Sequence, residues 1–328
     1  MADTQGIYIL AEIGEAEKPT AVTLELIGLG RDLASRLGER VSTLVLGAGV
    51  REAAQELALY GPDEVLFLDD PALSRYDPEL YVGALVPFLE SRPPRVLLAG
   101  HTSLGQDLFP RLAFSLDCGL VTDCVALEVD GGDILLTRPI YGGNAIATQK
   151  VGTSKVMATV RARVGEAPQP SSAAAVTPLE TAVPASSRLS LKEREVLQSR
   201  ECPLEEAPVV VSGGRGMGGE DGFAQLTEIA GILSGAVGAS RPPVDSGWAA
   251  STCQVGITGK VVAPDIYIAV AISGSTQHLS GMGESGKIVA INKDPDAYIF
   301  KVADYGVVGD WRQVLPSFSA ALREIMQE

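Results

Sequence analysis

Aromatic residues make up only 5% of this 328-residue chain, and it has just two histidines, His101 and His278. Gly, Ala and Val supply much of the apolar content instead, which points to a tightly packed parallel α/β protein in which backbones approach one another closely. The four cysteines, Cys118, Cys124, Cys202 and Cys253, are widely spaced. With no C-x-x-C pair and no Cys/His pattern at ligand spacing, neither a disulfide scaffold nor a metal site is expected. No apolar run approaches the length of a membrane span, so stable membrane insertion is not expected. The start, MADTQGIYILAEIGE, lacks a basic leader and a long apolar segment. These absences together predict a soluble cytoplasmic protein. Basic residues are also scarce: 26 stand against 41 acidic, a net charge of −15. Residues 1–200 carry 18 basic and 26 acidic residues and the remainder 8 and 15, so the two parts stand at −8 and −7. No basic stripe is available for nucleic acid. No nucleophile–base constellation appears, so no catalytic residue is expected; His101, at a strand end, has no evident partner in the sequence around it.

The length allows two domains, each with its own core. Residues 6–11 (GIYILA), 41–50 (VSTLVLGAGV), 64–70 (EVLFLDD) and 95–100 (RVLLAG) read as strands. Between them lie helical patterns at 20–37, at 51–61 closed by Gly61, and at DPELYVGALVPFLESR. A helix at about 105–116 follows. This alternation predicts a parallel sheet covered by helices. From 124 to 164 the pattern changes, and CVALEVD, DILLTRPI, NAIATQKV and KVMATVRAR read as antiparallel strands joined by turns such as DGGD and YGGN. Residues 165–187 are rich in Pro, Ala and Ser and read as a surface loop. A short strand and a charged connector follow. The predicted organisation is an N-terminal three-layer α/β domain (1–200) with a mostly parallel sheet plus antiparallel strands, a hinge (201–207), and a C-terminal doubly wound domain (208–328).

The C-terminal part is organised around residues 245–292. IYIAVAIS and KIVAIN read as buried parallel strands. Between them SGSTQHLSGM can open a short helix and carries His278; upstream, VGITGK is a glycine turn with Thr258. Strands ending in glycine turns, with a helix start behind one of them, suit a phosphate-bearing cofactor. VVVSGGRGMGG gives a third such turn, where Arg215 places a cation beside free backbone N–H groups. An ordinary nicotinamide-dependent oxidoreductase is a poorer fit, since the first strand lacks G-x-G-x-x-G and a following acidic residue.

SGGRG at 212–216, SRPPVDSGW at 240–248, QVGITGK at 254–260, VAPDIYIAVAISGSTQHLSGM at 262–282, AINKDP at 290–295 and VADYGVVGDW at 302–311 together resemble the electron transfer flavoprotein alpha subunit. The resemblance is dense over 208–328 and collinear over 1–200. It implies an FAD-containing electron carrier that pairs with a beta subunit. Electrons would come from flavoprotein dehydrogenases, with the acyl-CoA type expected as donors; the alternative is an electron-bifurcating, NADH-oxidising flavoprotein subunit. Carried over by position, the implied FAD contacts are Arg215, Ser240, Arg241, Val255, Gly256, Ile257, Thr258, Ser273, Gly274, Ser275, Thr276, Gln277, His278, Asn292, Asp310 and Trp311. Within this set Arg241 would sit by the isoalloxazine ring and Thr258 would offer its hydroxyl to a ring nitrogen. His278 would supply a positive or donating imidazole that stabilises an anionic semiquinone or hydroquinone. Asn292 and Asp310 suit hydroxyls of the ribityl or ribose parts, and Trp311 suits core packing better than stacking on the flavin. The chain departs from the family pattern at Ile257, where Gln is usual, and at Ala271, Ser275 and Thr276, which replace Gly, Ala and Ile. These departures bear on the flavin's potential rather than on its binding.

Overall fold

The computed structural model describes residues 5–14, 17–143, 145–193, 204, 205 and 207–326. It divides into two compact units. The first comprises Met1–Pro139 and Ile146–Arg194, the second Ile140–Ala145 and Glu195–Glu328. The division is therefore not a single cut, because the hairpin tip at 140–145 groups with the second unit. The hinge expected at 201–207 lies largely outside the described residues.

The first unit begins as the periodicity predicts: β1 (Ile7–Leu10), α1 (Ala21–Leu37), β2 (Val41–Gly47), α2 (Arg51–Leu57), β3 (Glu64–Asp69), α3 (Pro78–Ser91), β4 (Val96–Gly100) and α4 (Ser103–Ser115). Each longer helix has a chemical start. Thr20 Oγ1 accepts from Thr23 N to cap α1, and Asp77 accepts from Glu79 N and Leu80 N to cap α3, with Pro78 in the first turn. After α2 a 3-10 turn runs into Gly61, whose φ of 81° closes the segment. The remaining strands are β5 (Gly119–Cys124), β6 (Ala126–Asp130), β7 (Asp133–Ile140), β8 (Ala145–Lys150), β9 (Val156–Val160) and β10 (Ala175–Pro178). Seven strands form one sheet in the order β10-β3-β2-β1-β4-β9-β5, all its pairings parallel. A separate sheet holds β6-β7-β8, with β6 and β7 antiparallel.

Four sequence expectations differ from the structure. KVMATVRAR is not part of the antiparallel set: β9 is buried throughout and sits between β4 and β5 in the parallel sheet. An unbroken buried run is what a central parallel strand needs. The Pro/Ala/Ser-rich loop contains β10, a four-residue edge strand paired with β3, where Pro178 is tolerated at a strand end. β5 lies in a segment where no strand was expected. The short strand expected after residue 187 is absent among the described residues up to 193.

Alternation along β1 divides the core into two layers. Ile7 and Ile9 face α1 and α2, together with Leu26, Ile27, Leu33 and Leu57. Tyr8 and Leu10 face α3 and α4, with Leu85, Phe88, Phe109 and Leu112. This gives the expected three layers, helix–sheet–helix.

The second unit contains β11 (Val209–Gly213), α5 (Glu220–Ile232), β12 (Ala236–Ala239), α6 (Arg241–Asp245), β13 (Ile266–Val270), α7 (Thr276–Leu279), β14 (Lys287–Asn292), β15 (Tyr305–Val308) and α8 (Trp311–Ile325). Its five strands run in the order β12-β11-β13-β14-β15, all parallel. Ile268 and Val270 face α5 and α8, packing with Phe223, Leu226, Trp311 and Leu315. Tyr267 and Ala269 face the other way, into a cluster with Val255, Val262 and Met282. Among the described residues no helix is long and apolar enough to cross a membrane.

Removing the α3 cap checks the local account. Asp77→Ala should lower the stability of the first unit by about 1 kcal/mol, read as a lower denaturant midpoint. An unchanged midpoint would show that the cap contributes nothing.

Candidate functional site

In the second unit the chain begins at β11, moves to β12 on one side, then returns to β13 on the other. The reversal opens a crevice at the carboxyl ends of the strands, which is where open parallel sheets hold ligands. A cavity of about 250 Å³ lies there. Four consecutive strand ends supply its lining: Arg215 and Gly216 after β11, Ser240 after β12, Ala271 to Ser273 after β13, and Asn292 and Asp294 from the end of β14. Ser275 and His278 join them from the α7 segment.

Glycines make this arrangement possible. A Cβ at Gly214 would sit 2.1 Å from the Ala271 carbonyl oxygen, so the turn after β11 can lie on the end of β13 only without a side chain. Gly274 has a φ of 83°, and its Cβ would meet Ile299 N at 2.4 Å. Ala271, where the resemblance led us to expect glycine, is itself held at a φ of 54°.

The structure sorts the sixteen residues named from the resemblance. Arg215, Ser240, Ser273, Ser275, His278 and Asn292 line the crevice. Thr276 and Gln277 are exposed on α7, a single turn with little macrodipole of its own. Ile257 and Thr258 are exposed in the VGITGK turn, where Thr258 Oγ1 accepts from Gln254 Nε2 at 3.0 Å. Gly256 packs beneath that turn and Val255 is buried, its carbonyl turned to His278. Arg241 is exposed and pairs with Asp245 at 3.2 Å, an ion pair of small energetic weight. Asp310 caps α8 by accepting from Arg312 N. Trp311 lies in the core, and its Nε1 donates to the Gly216 carbonyl at 3.0 Å, fixing the turn that carries Arg215. Asn292 Nδ2 donates to the Ile272 carbonyl at 2.8 Å, tying the ends of β13 and β14 together.

The expected electrostatics of His278 need correction. The imidazole is buried, with Nδ1 at 3.1 Å from the Val255 carbonyl oxygen and Nε2 at 3.0 Å from the Tyr267 hydroxyl. Burial pushes its pKa down to about 4, against the pull of the Val255 carbonyl. It is therefore neutral at pH 7, with its one N–H given to the protein rather than to the crevice. Tyr267 and Asp294 were not singled out from the sequence. The available signal was a lone tyrosine in an otherwise aliphatic strand, and a carboxylate inside AINKDP.

His101, in the first unit, does have partners. Its Nδ1 lies 2.9 Å from Thr159 Oγ1 and its Nε2 3.8 Å from Asp123 Oδ1, while Arg161 grips Asp123 at 2.5 and 2.9 Å. The cluster is internally paired, and burial lowers the His101 pKa despite the Asp123 charge.

A doubly wound unit whose strand ends bring backbone turns, hydroxyls and an arginine to one crevice is a nucleotide-holding domain. The comparisons make this specific. Residues 7–186 match the electron transfer flavoprotein domain, and residues 203–283 match the electron transfer flavoprotein FAD-binding domain. The chain is 41% identical over 331 residues to Protein FixB of Clostridium saccharobutylicum, covering 99% of this chain and 98% of that protein. It is 42% identical to the electron transfer flavoprotein subunit alpha of Thermoanaerobacterium thermosaccharolyticum, covering 99% and 100%. With the corresponding subunit of Bacillus subtilis it shares 39% over 97% and 98%. The chain belongs to the electron transfer flavoprotein alpha subunit family, whose second domain binds FAD.

The neutral, buried His278 has a pH signature. The unfolded histidine binds a proton near its ordinary pKa of 6.5, the folded one only near 4. Its contribution is fully present above 6.5 and is lost as pH falls from 6.5 to 4. Unfolding free energy should therefore drop between pH 7.5 and 4 by about 3 kcal/mol more in the unsubstituted protein than in His278→Asn. Parallel pH profiles would contradict this.

Proposed function

We propose that the chain is the FAD-holding subunit of an electron carrier that works with a beta subunit, taking electrons from flavoprotein dehydrogenases and passing them to another acceptor. The observation that carries the reading is the convergence of four strand ends on one crevice, mostly within the stretch matching the FAD-binding family. The donor set fits such a group. Arg215 is exposed at the crevice, and Ser240, Ser273 and Ser275 border the same space.

When bound, FAD accepts and returns electrons at a site that has no need of a substrate-binding base. The chain's own groups then have separable tasks. Arg215 and the serine hydroxyls hold the diphosphate by charge-assisted and neutral hydrogen bonds. Asn292, donating to the Ile272 carbonyl, ties together the ends of β13 and β14 that would border the ligand. Arg241, at the start of α6, can exchange its Asp245 partner for the ligand at little cost, since the pair is exposed. Thr258, held by Gln254, presents its hydroxyl from the exposed VGITGK turn. Ile257, half exposed beside it, removes the hydrogen-bonding side chain usual at that position and so shifts the flavin's potential. Dehydrogenases of the acyl-CoA type are the donors this reading favours, in the cytoplasm.

The chain co-purified with its beta subunit should be yellow and bleach with dithionite; a colourless, nucleotide-free pair would contradict the proposal. NADH oxidation by the pair alone would favour the bifurcating alternative. Arg215→Ala should weaken FAD retention roughly tenfold or more, from the loss of a charge-assisted hydrogen bond, measured by flavin release on dilution. Ile257→Gln should move the midpoint potential by an amount equivalent to about 1 kcal/mol; unchanged potentials would remove that residue from the account.

A further inference from the structure

In the first unit, β7 carries a cation on its core face. Ile134 and Leu136, on that face, are buried in the same core as Cys124 and Val160. Arg138, two residues on, shares the face and is half-buried at its rim. Its Nε is shut off from solvent with no hydrogen-bond partner, and among the described residues Arg138 forms no ion pair. A buried, unpaired guanidinium nitrogen is costly and asks for a reason. Three main-chain bonds gather the neighbouring strand ends: Val125 N donates to the Thr137 carbonyl at 2.8 Å, Arg161 N to the Cys124 carbonyl at 3.0 Å and His101 N to the Val160 carbonyl at 2.7 Å. Burial acts most strongly on the His101 and Cys124 side chains, and the Arg138 charge is felt at both. Asp123, beside His101, is already held by Arg161 Nε and Nη2 at 2.5 and 2.9 Å. With His101 kept neutral at pH 7 chiefly by burial, Arg138 and Arg161 against Asp123 leave one positive charge unmatched.

We propose that Arg138 is a docking residue that receives the carboxylate of an aspartate or glutamate side chain of the beta subunit. This rests on the subunit reading above and gives it a point of contact. Charge decides the class of ligand: a monoanion neutralises the one unmatched positive charge, whereas a phosphate dianion would leave excess negative charge beside Asp123. Shape decides the fit. Nε and the neighbouring Nη form a planar two-donor edge that matches the two oxygens of a carboxylate, and Nε is the donor that water does not reach. Magnitude decides the source. A single charge-assisted pair would hold a free monocarboxylate no more tightly than about millimolar. On a partner's surface the same pair is one contact among many, and it is sealed from water when the surfaces meet, where an arginine contributes most. His101 lies beside the pair, its Nδ1 2.9 Å from Thr159 Oγ1, and an anion arriving there favours the protonated imidazole.

The test uses the chain assembled with its beta subunit and FAD. Arg138→Gln removes the charge and keeps much of the side chain's length. It should raise the dissociation constant of the pair roughly tenfold or more, while the assembled pair keeps its flavin absorbance. Arg138→Lys keeps the charge without the fork and should recover part of that loss. In the Arg138→Lys pair a carbodiimide should join the amine at position 138 to a beta-subunit carboxylate as an amide, the carbodiimide taking up the water, and mass spectrometry of the joined peptides identifies the partner residue. An unchanged dissociation constant in Arg138→Gln, or crosslinks from position 138 only within the chain, overturns the proposal. A free carboxylate as occupant would show as acetate-dependent movement of the His101 signals in a pair where this chain alone carries 15N-histidine. Its histidines are only His101 and His278, so His278→Asn assigns them; that movement overturns the proposal too. Failure of the unsubstituted chains to associate overturns the subunit reading and this proposal with it.

Discussion

The second unit depends on how closely the turn after β11 approaches the end of β13. Gly214 N donates to the Val270 carbonyl at 2.9 Å, and no side chain can be placed between the Gly214 backbone and the Ala271 carbonyl. To meet it, Ala271 adopts a left-handed backbone conformation, which costs a non-glycine residue on the order of 1 kcal/mol. The bend turns the following residues, Ile272 and Ser273, off the sheet and into the wall of the crevice. Trp311 secures the other side of the same turn through its bond to the Gly216 carbonyl. Backbone strain, glycine placement and a buried indole thus serve one geometry, with Arg215 at its rim.

Around that geometry the polar groups fall into two kinds. Some are committed to the fold: Asn292 to the Ile272 carbonyl, Asp310 to the start of α8, His278 to Val255 and Tyr267. Others remain on the crevice or its approaches, among them Arg215, Ser273 and Ser275. The first kind holds strand ends in place, and the second is available to a ligand. A family whose second domain binds FAD needs both, because a carrier's protein contribution is to hold the cofactor and set its electrostatics. A neutral imidazole enclosed at the crevice wall, its one N–H turned to Val255, differs from the positive or donating imidazole that the resemblance implied.

Much of this was legible in the sequence where local chemistry decides. The helices and strands from β1 to α4 follow from periodicity and caps, and the strand-end turns of the second unit from glycines after apolar runs. β9 was misread because short turns around it suggested a hairpin, whereas its unbroken buried run marks a central parallel strand. β10 hid in a proline-rich stretch too short to show alternation. The first partly polar turns of β5, with its irregular register between Val121 and Cys124, gave no clean period. Of the residues named from the sequence, Arg215, Ser240, Ser273, Ser275, His278 and Asn292 do lie on the crevice, but their states were not legible. The protonation of His278 is set by burial, against the pull of the Val255 carbonyl, and neither is a local property. The Arg241–Asp245 pair, by contrast, was one helical turn apart and readable in principle.

The central claim is that the cofactor lies at the carboxyl ends of β11 to β14 in the second unit. Hydrogen–deuterium exchange on the chain with its beta subunit, comparing flavin-stripped and FAD-loaded protein, tests it most directly. The account predicts that FAD slows exchange in the turns at 213–218, 239–242 and 271–279, while the strand ends of the first unit are unaffected. Protection confined to the first unit, or absent from all three turns, would contradict it.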